Sequence, residues 1–198
     1  MKREQYHYFV EGEDDRKVVN TLKTDLQWIK PGKVQVFNVI EEELTSLITR
    51  TLKPGTIVVL VFDTDTGKKN TLLKNIRFLQ KDSNVKQVLC IMQVKNLEDE
   101  FLRSCAISQI KELTGSKSNS DYKRDLLRQS NLADKLKKHQ FQFEKFWNSS
   151  DKVYESICND SAQIKIKNNL FLKKNVEIGK DKGNEQRIHE LYIHCKMQ

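Results

Sequence analysis

Hydrophobic and polar positions alternate between two periods along the first half of the chain. Tyr6–Val10 is an aromatic and β-branched run that stops at Glu11-Gly12, the pattern of a strand. From Asp14 to Leu26, Val18, Val19, Leu22 and Leu26 recur at helical spacing. Pro31-Gly32 marks a turn, and Val34–Val39 reads as a second strand. Glu41–Leu52 carries Leu44, Leu47, Ile48 and Leu52 on one side, with acids in its first turn, and predicts a second helix. Thr56–Phe62 is continuously apolar and mostly β-branched. Such a run suits a central strand of a parallel sheet, covered on both faces. Asn70–Leu79 predicts a third helix, Val85–Val94 a fourth strand, and Asn96–Ile107 a fourth helix. Four β-then-α repeats imply an α/β fold, an open and mainly parallel four-stranded sheet flanked by helices.

The second half is less regular. Gly115–Asp121 is a loop by composition, and Asp121–Phe146 is predicted to be mainly helical. Gln163–Lys167 is a further strand candidate, and Gly179–Gly183 a further loop. The division this suggests is an α/β domain over 1–110 and a basic, mostly helical extension over 111–198.

Charge sharpens the picture. The 198 residues carry 35 Lys and Arg against 27 Asp and Glu, a net charge of +8. Residues 1–103 hold 17 basic and 15 acidic side chains, and 104–198 hold 18 and 12, so the positive excess lies in the second half. A basic balance with both signs abundant fits a phosphate-rich partner, RNA or DNA, and excludes an acidic tail protein. Cys90, Cys105, Cys158 and Cys195 form no C-x-x-C pair, which argues against structural zinc and for reduced thiols. His189, His194 and Cys195 fit no zinc spacing. The longest apolar run, Ile57–Phe62, is too short to cross a bilayer, and no export leader is predicted; a cytoplasmic protein away from the membrane is expected.

The acids are placed unevenly. In open α/β sheets ligands bind outside the carboxyl ends of the strands. Three such ends carry acids: Glu11-Gly12-Glu13-Asp14-Asp15, Asp63-Thr64-Asp65 and Glu98-Asp99-Glu100. Converging carboxylates repel one another, and a hard divalent cation removes that penalty. In a basic protein such a site would stabilise the charge of a phosphodiester under attack. Glu13, Asp14 and Glu41–Glu43 are expected to be solvated helix starts instead. Gly12 is expected to let the chain turn sharply beside Glu11. The loop Ser116–Ser120 with its Lys117, together with Lys123 and Arg124 just beyond it, is the candidate phosphate-contacting surface. Phe141, Phe143, Phe146, Trp147 and Tyr154 could stack on bases, but packing a helix onto the sheet is the simpler reading.

Phe9-Val10-Glu11-Gly12-x-x-Asp15 followed by Val59-Leu60-Val61-Phe62-Asp63-x-Asp65-x-Gly67 resembles the Toprim domain. That domain is shared by topoisomerases, bacterial primases, the ribonuclease that matures 5S ribosomal RNA, and the overcoming-lysogenization-defect nucleases. The likeness covers roughly residues 5–110. It implies that Glu11 ligates metal or relays a proton, and that Asp63 and Asp65 bind metal. The nuclease branches add an acid four residues past the first Glu, here Asp15, and one after strand four. Asn96-Leu97-Glu98 is similar to that last element and selects Glu98, although Asn96 stands where some of these nucleases have an acid. The implied function is a Mg²⁺- or Mn²⁺-dependent nuclease, an endonuclease favouring RNA, including tRNA, over DNA. Toprim nucleases of this size also occur in bacterial anti-phage systems. The resemblance allows a partner such as an ATPase, and self-association. Two other readings stand beside it: a non-catalytic nucleic-acid-binding or scaffolding Toprim protein, and a haloacid-dehalogenase-like phosphatase. The latter is suggested by Asp63-Thr64-Asp65-Thr66 but opposed by Gly67 at the fifth position.

Overall fold

A computed structural model describes residues 4–166. Four strands, β1 (Gln5–Val10), β2 (Gly32–Val36), β3 (Thr56–Asp63) and β4 (Val85–Gln93), form one parallel sheet in the order β2-β1-β3-β4. This is the expected α/β architecture. The chain leaves β1 towards β2 on one side and returns to β3 on the other, so the order reverses between β1 and β3. In open sheets that reversal opens a crevice at the strands' carboxyl ends.

Alternate residues of the central strands feed two cores, as the period of two requires. Tyr6, Tyr8, Val10, Ile57, Val59, Val61, Leu89 and Ile91 face one side. There they meet Val18, Val19 and Leu22, then Phe101 and residues from the second half. Phe9, Val58, Leu60, Phe62, Cys90 and Met92 face the other side. They meet Leu72 and Leu79 of a helix, the 37–52 connection, Tyr154 and Ile157. The unbroken apolar run of β3 is thus explained by burial on both faces.

The helices depart from expectation in ways the hydrogen bonds explain. Helix α1 (Glu13–Asn20) ends in a wider π turn over Thr21–Asp25, where Leu26 N–H donates to Thr21 O at 3.0 Å. The helix expected over Glu41–Leu52 shrinks to α2 (Ser46–Thr49). Its first turns are claimed by two asparagines. Asn38 Oδ1 accepts from Ile40 and Glu41 N–H, at 3.0 and 3.1 Å. Buried Asn75 accepts from Leu44 N–H at 2.7 Å and donates to Val39 O and Glu42 O. Backbone groups already satisfied by side chains gain nothing from a helix. Helix α3 (Asn70–Gln80) and helix α4 (Leu97–Ser104) follow the predicted segments, α4 stopping three residues short of Ile107.

The segment expected to be mainly helical over Asp121–Phe146 is broken. After α5 (Ile110–Thr114) come α6 (Tyr122–Arg128) and α7 (Leu132–Lys138), then a turn-rich stretch. Phe141, Phe146 and Trp147 from that stretch are buried with Phe101 and Trp28 in the first core. Tyr154 is buried against Phe62 in the second. The aromatic cluster is therefore packing, and described residues from 111–166 share a core with the sheet. The candidate strand at Gln163 is a short helix α8 (Ser161–Ile164) with one antiparallel bridge, Ile29 to Lys165. Lys167, the Gly179–Gly183 loop, His189, His194 and Cys195 lie outside the described residues. Cys90, Cys105 and Cys158 are free thiols. Among the described residues no helix is long and apolar enough to cross a membrane.

Candidate active site

The crevice between β1 and β3 is lined by the acids that end those strands. Neighbouring strands lie about 4.8 Å apart, which brings Glu11 and Asp63 together. Asp63 N–H donates to Glu11 Oε2 at 3.3 Å. Asp15, one helical turn into α1, folds back so that Oδ2 accepts from Gly12 N–H at 3.0 Å. This caps the helix and holds Asp15 at only 5% exposure. Its other oxygen, Oδ1, and Asp63 Oδ1 are buried with no hydrogen-bond partner. Such orphans are rare and costly, and they mark places where a ligand or ion would satisfy the site.

Gly12 has a different role from the one expected. Its backbone is extended, φ −135° and ψ 177°, a conformation open to any residue. A Cβ there would come within 2.5 Å of Asp14 Oδ1, so the glycine makes room for the Asp14 carboxylate rather than for a sharp turn. Gly67 does adopt a positive φ, 65°, closing the turn after Asp63-Thr64-Asp65 with a bond from its N–H to Thr64 O. That loop is anchored to the end of β4. Thr64 and Asp65 N–H both donate to Lys95 O, and Lys95 N–H donates to Thr64 Oγ1.

Electrostatics follow from crowding. Burial pushes the Asp63 carboxyl up to about 9, with Asp15, Glu11, Asp65 and Glu98 all adding repulsion. Asp15 rises to about 7, through burial first and then Asp14. Glu11 is raised by burial and partly relieved by the Asp63 N–H. The site therefore holds more protons at neutral pH than solvated acids would.

The remaining expected residues divide. Asp65 is exposed at the crevice mouth. Of the three acids after β4, Glu98 is half-buried and close enough to raise Asp63. Asp99 pairs with Lys95 at 3.4 Å. Glu100 is wholly buried and structural: it accepts from Val94 N–H, Trp147 N–H and Arg103. Asn96 caps α4, its side chain accepting from Asp99 N–H at 3.0 Å, which accounts for an amide where an acid had been sought. Glu13 is exposed and pairs with Arg16 at 2.7 Å, a solvated helix start.

Of the three basic residues, only Lys123 reaches the acids. Its Nζ lies 3.3 Å from Asp14 Oδ2 and 3.4 Å from Glu98 Oε1, bridging α1 and α4. These two acids raise the Lys123 ammonium above its ordinary range, against burial, which acts to lower it. Arg124 is exposed and pairs with Asp121 and Asp125, and Lys117 is exposed on its loop.

Sequence reasoning missed Asp14, Gln93 and Tyr122. Asp14 was assigned to solvent, yet its carboxylate faces Lys123. Gln93, 1% exposed, pairs in register with Asp63, and the amide lies close enough to Asp15 to favour its charged form. Neither polar atom of that amide makes a well-formed hydrogen bond. The signal was present: a glutamine closing an otherwise apolar strand beside Asp63. The buried Tyr122 hydroxyl also has no hydrogen-bond partner and feels Glu98, Asp14 and Asp15.

As placed, no group of three or more His, Cys, Asp or Glu side chains among the described residues is arranged to hold a metal ion. The chemistry of the donors nevertheless suits a hard divalent cation: carboxylate oxygens, two of them buried and unpartnered, with raised proton affinity. Closing a shell requires side-chain rotation or added water. No family model, curated protein or solved structure matches this chain.

Proposed function

We propose that this protein is a Toprim-like, Mg²⁺- or Mn²⁺-dependent nuclease whose reacting groups are Glu11, Asp15, Asp63, Asp65 and Glu98. The observation that carries the reading is the convergence of Glu11, Asp15 and Asp63 at the reversal point of the sheet, with two buried carboxylate oxygens unpartnered. Acids buried together without compensation destabilise a fold, so their placement calls for a role. A divalent ion, when bound, would neutralise these carboxylates and the charge that develops on a phosphodiester. Asp63, Asp15 and Glu98 would hold it, with Asp65 at the mouth.

Glu11 serves as the proton relay. Its raised pKa brings it nearer to neutrality than a solvated glutamate, which suits a group that takes a proton from attacking water. That water forms the new P–O bond, the bond to the leaving ribose oxygen breaks, and the leaving oxygen takes up a proton. Lys123 is placed to meet the phosphate beside the acids. RNA, including tRNA, is the favoured substrate over DNA, an anti-phage effector role fits, and a protein partner such as an ATPase belongs to the same proposal.

The non-catalytic alternative is favoured by one observation: Lys123 already compensates Asp14 and Glu98 in place of a metal. A cleavage assay on RNA and DNA with Mg²⁺, Mn²⁺ or EDTA separates the two. Metal-dependent cleavage by the wild type, lost in Glu11→Gln, is expected. Intact substrate in every metal condition would leave the binding-only reading.

A further inference from the structure

A second polar recess lies outside the acid crevice. It is a shallow, largely open depression of about 320 Å³ lined by Arg103, Lys145, Asn148 and Ser149. Cavities near this size accommodate small ligands or one unit of a polymer. The lining contains two cations, an amide and a hydroxyl, and no carboxylate.

The recess is built rather than incidental. Trp147, between Lys145 and Asn148, adopts φ 58°, a left-handed conformation that is strained for a bulky side chain. Three hydrogen bonds with two side chains hold it there. Trp147 N–H donates to Glu100 Oε2 at 2.8 Å, and Asn159 Nδ2 donates to both Trp147 O and Ser149 O, at 3.0 and 2.9 Å. A further turn bond joins Asn148 N–H to Lys145 O. The loop is thereby fixed with its polar side chains turned to the recess.

Charge balance leaves the recess positive. Arg103 donates to Val94 O at 2.7 Å and to Glu100 at 2.6 Å, and lies 4.0 Å from Asp99. Its charge is largely matched by Glu100, but its Nε–H is buried with no acceptor. Lys145 is exposed and forms no ion pair among the described residues, although Glu144 neighbours it in sequence. The Asn148 amide and Ser149 hydroxyl form no hydrogen bond among the described residues. A guanidinium held at the edge of the recess, an unmatched ammonium and two neutral donors are groups that can surround a tetrahedral oxyanion.

We propose that Arg103, Lys145, Asn148 and Ser149 form an anion subsite for a phosphate group, of a polynucleotide backbone or of a free nucleotide. The loop and the acid crevice share a support: Arg103 and Glu100 bind the end of β4, and the next residue, Lys95, anchors Asp65. The subsite requires no metal, so its test is independent of the nuclease reading.

The test is binding in EDTA, with three probes: inorganic pyrophosphate, a mononucleotide triphosphate, and a 12-nucleotide RNA. The expected result is saturable binding of at least one probe, weakened at least tenfold by Lys145→Glu and by Ser149→Asp. Both variants alter exposed or half-exposed side chains and leave the Arg103–Glu100 pair intact. Asn148 side-chain amide resonances should shift on binding in the wild type. Tight RNA binding with weak mononucleotide binding assigns the subsite to a backbone phosphate, and Lys145→Ala should then flatten the salt dependence by about 0.7 log units, one single-strand contact. Equal binding of mononucleotide assigns it to free nucleotide. Absence of binding by all three probes at millimolar concentration, or affinities unchanged by both variants in folded protein, overturns the proposal.

Discussion

Replacing Asp63 by Asn should stabilise the metal-free protein, and increasingly so as pH rises. The carboxyl has an ordinary value of 3.8 and is held at about 9 in the fold, mainly by burial. Below its ordinary value both folded and unfolded chains keep the proton, and no difference arises. Above it the unfolded chain ionises while the buried site does not, so stability falls as pH rises towards the folded value. Each pH unit in that window is worth at most about 1.4 kcal/mol, which sets a ceiling of about 3 kcal/mol at pH 6. Asp15 and Glu11 share the same repulsion and take up part of the relief, so about 1–2 kcal/mol is expected at pH 6. For a chain of this size that is a rise in Tm of about 2–8 °C. Asn matches the shape of Asp and adds donors facing Glu11 and Asp15. The assay is urea or thermal unfolding in EDTA at pH 4, 6 and 8, on wild type and Asp63→Asn. The gap should be near zero at pH 4 and widen at each step. A gap flat across that range, or a variant less stable throughout, refutes the view that Asp63 is held uncharged by its neighbours.

Glu11→Gln should fold and bind nucleic acid but cleave about 10²–10⁴-fold more slowly, while Glu13→Gln, at the exposed helix start, should cost little; equal loss in both would move the reacting acid elsewhere. Mn²⁺ at about a hundred times its Kd should add about 2.7 kcal/mol of stability, a shift absent in Asp63→Asn combined with Asp65→Asn; a shift that survives in the double variant would place the ion at other ligands. Glu100→Ala should destabilise by about 3–5 kcal/mol, because Arg103 is left without its buried partner, and chemical denaturation reads this directly. Lys123→Ala should weaken duplex binding and lower the salt slope by about 0.9, whereas Arg124→Ala, which pairs with Asp121 and Asp125 and with none of the strand-end acids, should change neither; equal effects in filter binding would mean a diffuse basic surface.

The sheet was legible because each strand carried its own signal. Thr56–Phe62 is apolar without a break, and only a strand covered on both faces uses such a run. Two of the stretches that failed, 41–52 and 121–146, failed for different reasons. In the first, the Leu44 and Ile48 spacing was helical, but Asn38 and Asn75 capture the backbone, and Asn75 is 31 residues from Leu44. No local pattern reports a partner at that separation. In the second, three fragments are set by buried anchors such as Trp147 N–H on Glu100 Oε2, 47 residues apart. The acids at the strand ends were readable from position alone. Which of them face Asp63 and which pack into the core was not, because Glu98, Asp99 and Glu100 differ only in which way one helical turn points them.

That division also explains why the crevice is poised rather than relaxed. Glu100 is as buried as any acid among the described residues, yet it meets two N–H groups and a guanidinium and shows no orphaned oxygen. Asp15 is buried and Asp63 half-buried, with one buried oxygen each left without a donor. The same chain therefore satisfies a buried carboxylate fully where its role is structural. The amide that could have served Asp63 and Asp15, Gln93, is adjacent and makes no good bond to either. On the proposed reading a divalent ion would satisfy these two oxygens, and Lys123, exposed over 62% of its side chain and paired with Asp14 and Glu98, is the counter-charge that the ion would displace.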